Sequence, residues 1–264
     1  MIRLALRVRR ADAEITLAEL LELAPGGVEE VDLGDRVEFA IYGAPGELPA
    51  LPDLEAAVGG ALVEVRTTEV ADDWGERWKR FHEPVEVAGL RVRPPWSDGR
   101  ACDIVIDPGQ AFGTGGHHTT RLCLQLLVGL GDHGGPFVDL GCGSGVLAIA
   151  AARLGYAPVH GVDLDPLAVE ATDENARVNR VDVSAERLDL RTSTAPSAPT
   201  VAANLLRPLL LGLRFDEPPQ RLIVSGLLAA EADEAAAALA AHGLVEAERL
   251  SAGEWSALLL LRTG

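Results

Sequence analysis

Residues Ile2 to Val8 alternate apolar and polar positions, the period of a half-buried strand, and Leu17, Leu20, Leu21 and Leu23 then fall on one face of a helix closed by Pro25-Gly26-Gly27. Two further strand-like runs, Val28 to Leu33 and Arg36 to Tyr42, meet at Gly34-Asp35; a short helix over Leu51 to Val58 and a strand over Leu62 to Thr67 follow. The predicted order, βαββαβ, is the split pattern of a small ferredoxin-like α+β domain, assigned to residues 1–68. In residues 69–84, Trp74, Trp78 and Phe81 recur at helical spacing, so this stretch is read as a helical linker with one aromatic face.

The remainder, residues 85–264, has a different rhythm. Short strands are expected at Val85 to Val87, Leu90 to Arg93 and Asp103 to Ile106, and a helix beginning at Arg121 with Thr119 or Thr120 near its N-cap. From Pro136, apolar runs alternate with helical segments: strand Phe137 to Leu140, helix Val146 to Leu154, strand Val159 to Val162, helix Pro166 to Val178. Strands Val201 to Ala203 and Leu222 to Val224 continue the series, with helices near Leu205 to Leu213 and Ala229 to His242. Alternating strands and helices specify a parallel sheet covered by helices, an α/β, Rossmann-like arrangement. Two final strands, Leu244 to Leu250 and Glu254 to Arg262, joined at Ser251-Ala252-Gly253, read as an antiparallel hairpin. That hairpin belongs to a class I methyltransferase-type sheet rather than to a plain dinucleotide-binding one.

Composition narrows the function classes. With 264 residues, 48% hydrophobic content and no apolar run of membrane-spanning length, the expectation is a folded cytoplasmic protein that does not enter membranes. The N-terminus alternates Arg with apolar residues and does not resemble a signal peptide. Three widely spaced cysteines form no ligand set, so neither disulfides nor a metal site is expected. A net charge of -17 repels phosphate backbones and argues against direct nucleic-acid binding, whereas a basic protein or an amine fits.

Candidate chemistry concentrates in Asp139-Leu-Gly141-Cys-Gly143-Ser-Gly145, which follows a strand and opens a helix. Glycines let the backbone approach a ligand, and the helix start presents unpaired N–H groups. Asp163 ends the next strand, 22 residues beyond Gly141, where a carboxylate accepts from ribose hydroxyls. This set specifies a nucleoside ligand. A dinucleotide remains an alternative, because Gly143-Ser-Gly145-Val-Leu-Ala148 also fits G-x-G-x-x-A, and so does a purely structural turn. Asp139 favours S-adenosylmethionine, since a carboxylate there opposes a pyrophosphate but suits a cationic amino group.

Upstream, the Phe112-Gly-Thr-Gly loop carries His117, Thr119 and Thr120 and reads as a lid ahead of a helix; loop hydrogen bonding is favoured over metal ligation for its histidines. Asn204 falls at the end of the expected fourth strand, where an amide orients an amine, holds cofactor or caps the next helix.

Together these segments, with Arg93-Pro-Pro-Trp96, Val162-Asp163-Leu-Asp165-Pro166, Ala203-Asn204-Leu205 and Gly253-Glu254-Trp255, resemble ribosomal protein methyltransferases of the PrmA type. The resemblance implies methylation of lysine ε-amino and N-terminal α-amino groups on the eleventh protein of the large ribosomal subunit, recognised through the N-terminal domain. It implies cofactor contacts from Thr120, Gly141, Asp163 and Asn204, with Phe112 and His117 in the loop over the methionine end; the glycine-loop reading adds Asp139 and Gly143 as cofactor contacts, and Asn204 and His117 are the candidates for reaction roles. A monomer is expected. The pattern departs from the family between Leu190 and Val201, where no aromatic-Asp pair precedes the strand. Two other readings stay open: a methyltransferase for another protein or a small amine, and an inactive cofactor-binding module that docks on the ribosomal protein.

Overall fold

The computed structural model describes residues 2–13, 16, 20, 28–43, 62–69, 83–108 and 115–263. Apart from Leu20, the apolar face of the first expected helix lies outside the described residues, as do the helix over 51–58, the aromatic linker residues and Phe112. Chain contacts divide the molecule into two units, Met1–Phe81 and His82–Gly264.

In the first unit, β1 (Ile2–Arg9), β2 (Glu29–Asp32), β3 (Arg36–Gly43) and β4 (Leu62–Glu69) form one antiparallel sheet in the order β2-β3-β1-β4. That order is the one a split βαββαβ chain produces. The alternation along β1 sorts its faces. Leu4, Leu6 and Val8 pack with Val37, Phe39, Ile41 and Leu20. Arg7, displaced by one position, bridges Glu38 at 2.6 Å and Glu64 at 3.0 Å, its register partners on either side.

The second unit opens with β5 (Val85–Val87) antiparallel to β6 (Leu90–Arg93), which is parallel to β7 (Ile104–Val105). Strand β7 is shorter by one residue at each end than the expected Asp103 to Ile106; the buried Asp103 carboxylate before it accepts from Arg91 Nη1 at 2.5 Å and Arg93 Nε at 3.1 Å. Next come α1 (His118–Gly129), β8 (Phe137–Leu140), α2 (Val146–Leu154), β9 (Val159–Asp163), α3 (Pro166–Asn179), β10 (Val183–Arg187) and β11 (Thr200–Asn204). The chain ends with α4 (Arg207–Leu211), β12 (Arg221–Leu228), α5 (Ala232–Ala240), β13 (Leu244–Ala252) and β14 (Trp255–Arg262).

Seven of these strands build one sheet in the order β10-β9-β8-β11-β12-β14-β13, parallel except for β14, which runs antiparallel to both neighbours. The predicted hairpin is therefore inserted, with its second strand against β12. Alternate strand residues feed two cores. Phe137, Val159, Ala202, Ile223 and Leu259 face α1, α2 and α3, whereas Val138, Leu140, Val201, Leu222, Leu258 and Leu260 face α4 and α5. Such α/β/α layering leaves one topological switch point, between β8 and β11, where connections leave in opposite directions.

Two expectations shift. The edge strand β10 was not anticipated, since its residues are half-buried or exposed and carry no apolar run. Helix α1 begins at His118, three residues before Arg121, with His117 as its N-cap; Thr119 and Thr120 lie inside the first turn and are buried.

Candidate active site

At the switch point the glycine loop leaves β8 and turns into α2. Gly141 sits at φ 74°, and a Cβ there would lie 2.3 Å from Leu205 Cδ2, so a side chain would close the gap between the loop and the segment after β11. The amides of Gly141 and Cys142 both donate to the Val162 carbonyl, at 2.8 and 3.0 Å. Asp163 completes the clamp: Oδ2 accepts from Gly143 N and Oδ1 from Asp165 N, each at 3.0 Å. One backbone N–H on each oxygen leaves lone pairs for two more donors, such as adjacent hydroxyls.

From below, the loop is pinned by polar residues of α3 that sequence reasoning missed. Thr172 Oγ1 donates to Gly143 O at 3.0 Å, and Asn175 Nδ2 to Ser144 O at 2.9 Å. Asn175 Oδ1 also accepts from Asp107 N at 3.0 Å, and Asn179 pairs with both backbone groups of Val105. The signal was present: Thr172, Asn175 and Asn179 lie three and four residues apart on the buried face of a helix, where uncompensated polar groups are costly.

Asp139 does not line the cavity described below. It is 1% exposed beneath the loop; Oδ2 accepts from Ala148 N at 3.1 Å, and Oδ1 has no partner. Burial raises its pKa to about 7, helped by the nearby Asp163 charge and opposed by the Ala148 hydrogen bond. Beside it, the Cys123 and Cys142 thiols are pushed up by burial and are not nucleophiles.

Across the loop, Asn204 ends β11. Its Nδ2 donates to Thr119 Oγ1 at 3.2 Å and Thr120 Oγ1 at 3.4 Å, over 80 residues away in the chain. The capping reading fails, since the N-cap of α4 is Leu206 and no side chain caps that helix. Thr119 in turn is held by His117, whose Nδ1 lies 2.8 Å from Thr119 Oγ1 and accepts from Thr119 N. The His117 ring packs edge-on against Trp255, centroids 5.1 Å apart. Burial, then the neighbouring His118, lowers the His117 pKa, so the ring is neutral near pH 7. Trp255, His117, Thr119 and Asn204 thus form one relay of contacts that fixes the amide.

Beside Asn204 and the glycine loop lies a cavity of about 670 Å³ lined by Gly141, Gly143, Asp163 and Asn204, by Leu164 and Leu205 of the quoted motifs, and by residues unmarked in the sequence: Leu188 to Arg191, Leu206 and Leu209. Its size and largely apolar wall suit a nucleoside-bearing ligand. Asp189 lines the wall and is clamped by Arg191 through Nε and Nη2, each at 2.9 Å. Among the described residues no three His, Cys, Asp or Glu converge as metal ligands, and no helix is long and apolar enough to cross a membrane.

Known proteins place this architecture. The family model described as "Ribosomal protein L11 methyltransferase (PrmA)" matches residues 50–263. Proteins named ribosomal protein L11 methyltransferase from Bacillus cereus and Bacillus anthracis are each 32% identical over 240 residues, 85% of this chain and 76% of theirs. The crystal structure of a ribosomal protein L11 methylase from Lactobacillus delbrueckii subsp. bulgaricus superposes with a TM-score of 0.62 at 28% identity, covering 69% of this chain and 100% of that one. A family match over most of the chain and relatives at this identity and coverage lead to one conclusion: the chain belongs to the ribosomal protein L11 methyltransferase (PrmA) family.

Proposed function

We infer that the protein is an S-adenosylmethionine-dependent methyltransferase of a large-subunit ribosomal protein, the eleventh, acting on lysine ε-amino and/or N-terminal α-amino groups. The carrying observation is that one cavity joins the glycine loop, Asp163 and Asn204 at the carboxyl ends of three adjacent strands. Family membership removes the dinucleotide alternative.

The residues fit the cofactor. Asp163 has acceptor capacity for ribose hydroxyls, and Leu164, Leu188 and Leu190 supply apolar wall for a base. Gly141 and Gly143 allow the backbone to approach, and Asp139 provides a buried acceptor behind them whose ionised form a nearby cation would favour. Thr120 acts through Asn204, and Phe112 is assigned to the loop above the methionine end. When bound, the cofactor supplies an electrophilic methyl group on a sulfonium.

The protein's part is orientation. A lysine amine, with an ordinary pKa near 10.4, attacks only when neutral, and the apolar rim formed by Leu205 and Leu206 disfavours its cation. Asn204, with Nδ2 committed to the two threonines, offers Oδ1 to an amine N–H and so aims the lone pair. His117 is assigned a positioning role, because it reaches Asn204 through Thr119 and is not part of the cavity wall. Residues 1–68 are assigned to recognition of the ribosomal protein and residues 69–84 to the linker, in a cytoplasmic monomer.

Incubation of the protein with labelled cofactor and purified ribosomal protein should add whole methyl increments to the substrate's intact mass. Gly141→Arg fills the cavity and should abolish the increment. Full activity in that variant would sink the site assignment; no increment with the parent chain would sink the substrate.

A further inference from the structure

A second cavity, of about 320 Å³, lies in the same unit but shares no lining residue with the first. Its wall is formed by the β5–β6 hairpin (Glu86, Leu90, Arg91), the loop through Arg100 to Asp103, and Arg153 in the last turn of α2. Helix α2 starts in the glycine loop, so Arg153, seven residues along it, stands about 11 Å from that loop, away from the carboxyl ends of the strands.

Three arginines line it, Arg91 half-buried and Arg100 and Arg153 exposed, on a chain whose net charge is -17. Two are held in place. Arg91 Nη1 donates to Asp103 Oδ2 at 2.5 Å and to Asp98 O at 3.1 Å, and Arg153 Nη2 donates to Asn179 O at 3.1 Å, which leaves the remaining N–H groups of each available. The third, Arg100, has no carboxylate partner among the described residues, although its backbone N anchors the loop to Asp103 at 2.7 Å. Of the two acidic groups in the wall, Asp103 is buried and neutralised by Arg91 and Arg93, and its pKa is lowered despite burial by the Arg100 N–H and these arginines. Glu86, the cross-strand partner of Arg91, is exposed at the rim. The unbalanced charge inside is positive.

We propose that this arginine-lined cavity is a binding site for the phosphoryl group of a small phosphorylated molecule. Guanidinium forks match phosphate oxygens in pairs, and with Arg91 already paired to Asp103 the uncompensated charge comes from Arg100 and Arg153, from which a dianion gains more than a carboxylate does. Polynucleotide is disfavoured as the source, because backbone binding needs an extended array of cations and this chain's overall charge opposes a polyanion. The site is independent of the methyl-transfer reading.

Cys102 provides the probe. It lines the cavity and is exposed, whereas Cys123 and Cys142 are buried, so it is the one accessible thiol of the three. Alkylation of the full chain is followed by intact mass with iodoacetate, an anion, and iodoacetamide, its neutral counterpart, with inorganic phosphate titrated against chloride at constant ionic strength. Phosphate should slow iodoacetate saturably. Arg100→Ala should weaken that protection about tenfold, the loss of one charge-assisted contact. Glu86→Gln should strengthen it, a gain that misfolding would not produce. Equal effects of phosphate and chloride, or undiminished protection in Arg100→Ala, would overturn the proposal. So would protection by a single-stranded RNA oligomer where inorganic phosphate gives none.

Discussion

Asp139→Asn isolates the cost of a buried carboxylate beneath the glycine loop. In the folded chain the Asp139 pKa rises from 3.8 to about 7, chiefly through desolvation. Between those values the native state keeps a proton that the unfolded state has released, so unfolding free energy falls as pH rises and levels off above pH 7. At about 1.4 kcal/mol per pKa unit, this shift sets a ceiling of roughly 4 kcal/mol lost by pH 8. Asparagine does not titrate, and its carbonyl oxygen can keep the hydrogen bond from Ala148 N. Its amide nitrogen, however, replaces Oδ1, which has no partner, and a buried unmade hydrogen bond costs about 1–3 kcal/mol. The variant should therefore be more stable than the parent by roughly 1–3 kcal/mol at pH 8 and less stable by roughly 1–3 kcal/mol at pH 4, where only the unmade hydrogen bond remains. Urea unfolding of cofactor-free protein at both pH values measures the difference. A stability difference that is the same at pH 4 and pH 8 would refute the reasoning, since it would mean that Asp139 does not titrate in this window.

Three further substitutions probe separate joints of the site. Asp163→Asn keeps one acceptor oxygen for two backbone donors and ribose, so cofactor affinity measured by equilibrium dialysis should fall about tenfold or more; unchanged affinity would remove Asp163 from the binding site. His117→Ala deletes the cap of α1 and the prop under Thr119, with about 1 kcal/mol lost in thermal or urea unfolding. In the same variant kcat should fall more than cofactor affinity, and equal losses would argue against a positioning role. Gly226→Ala should cost about 2–4 kcal/mol, because the residue lies at φ 87° and a Cβ would sit 2.1 Å from the Leu205 carbonyl oxygen, a backbone atom that cannot rotate away. Methyl transfer should fall with it as the Asn204–Leu206 segment shifts, and a urea midpoint equal to the parent's would refute the clash.

Much of the second unit was legible in the sequence because its signals are local. Apolar runs in Phe137 to Leu140, Val201 to Ala203 and Leu222 to Val224 each become strands, since a parallel sheet covered on both faces demands continuous apolarity. Gly141, Gly143 and Asp163 mark the ligand loop because backbone approach and a carboxylate at a strand end are requirements of single positions. The N-terminal alternation likewise sorts Leu4, Leu6 and Val8 from Arg7 without knowledge of partners. What the sequence left undecided depends on distant contacts. Strand β10 is an edge element whose exposed positions carry no periodic signal, so only pairing with β9 reveals it. Asn204 is favoured as a site residue in the sequence but a helix cap stays open until the sheet brings it to Thr119 and Thr120. Asp139 looks like a carboxylate open to ligand, yet α2 folding back over β8 buries it and decides its charge. Gly226 is unremarkable until the turn after β11 crosses it, and Arg91, Arg100 and Arg153 are three unrelated basic residues until a helix end and a hairpin meet. Periodicity records which way a side chain points; what it meets there is set by the order in which strands line up.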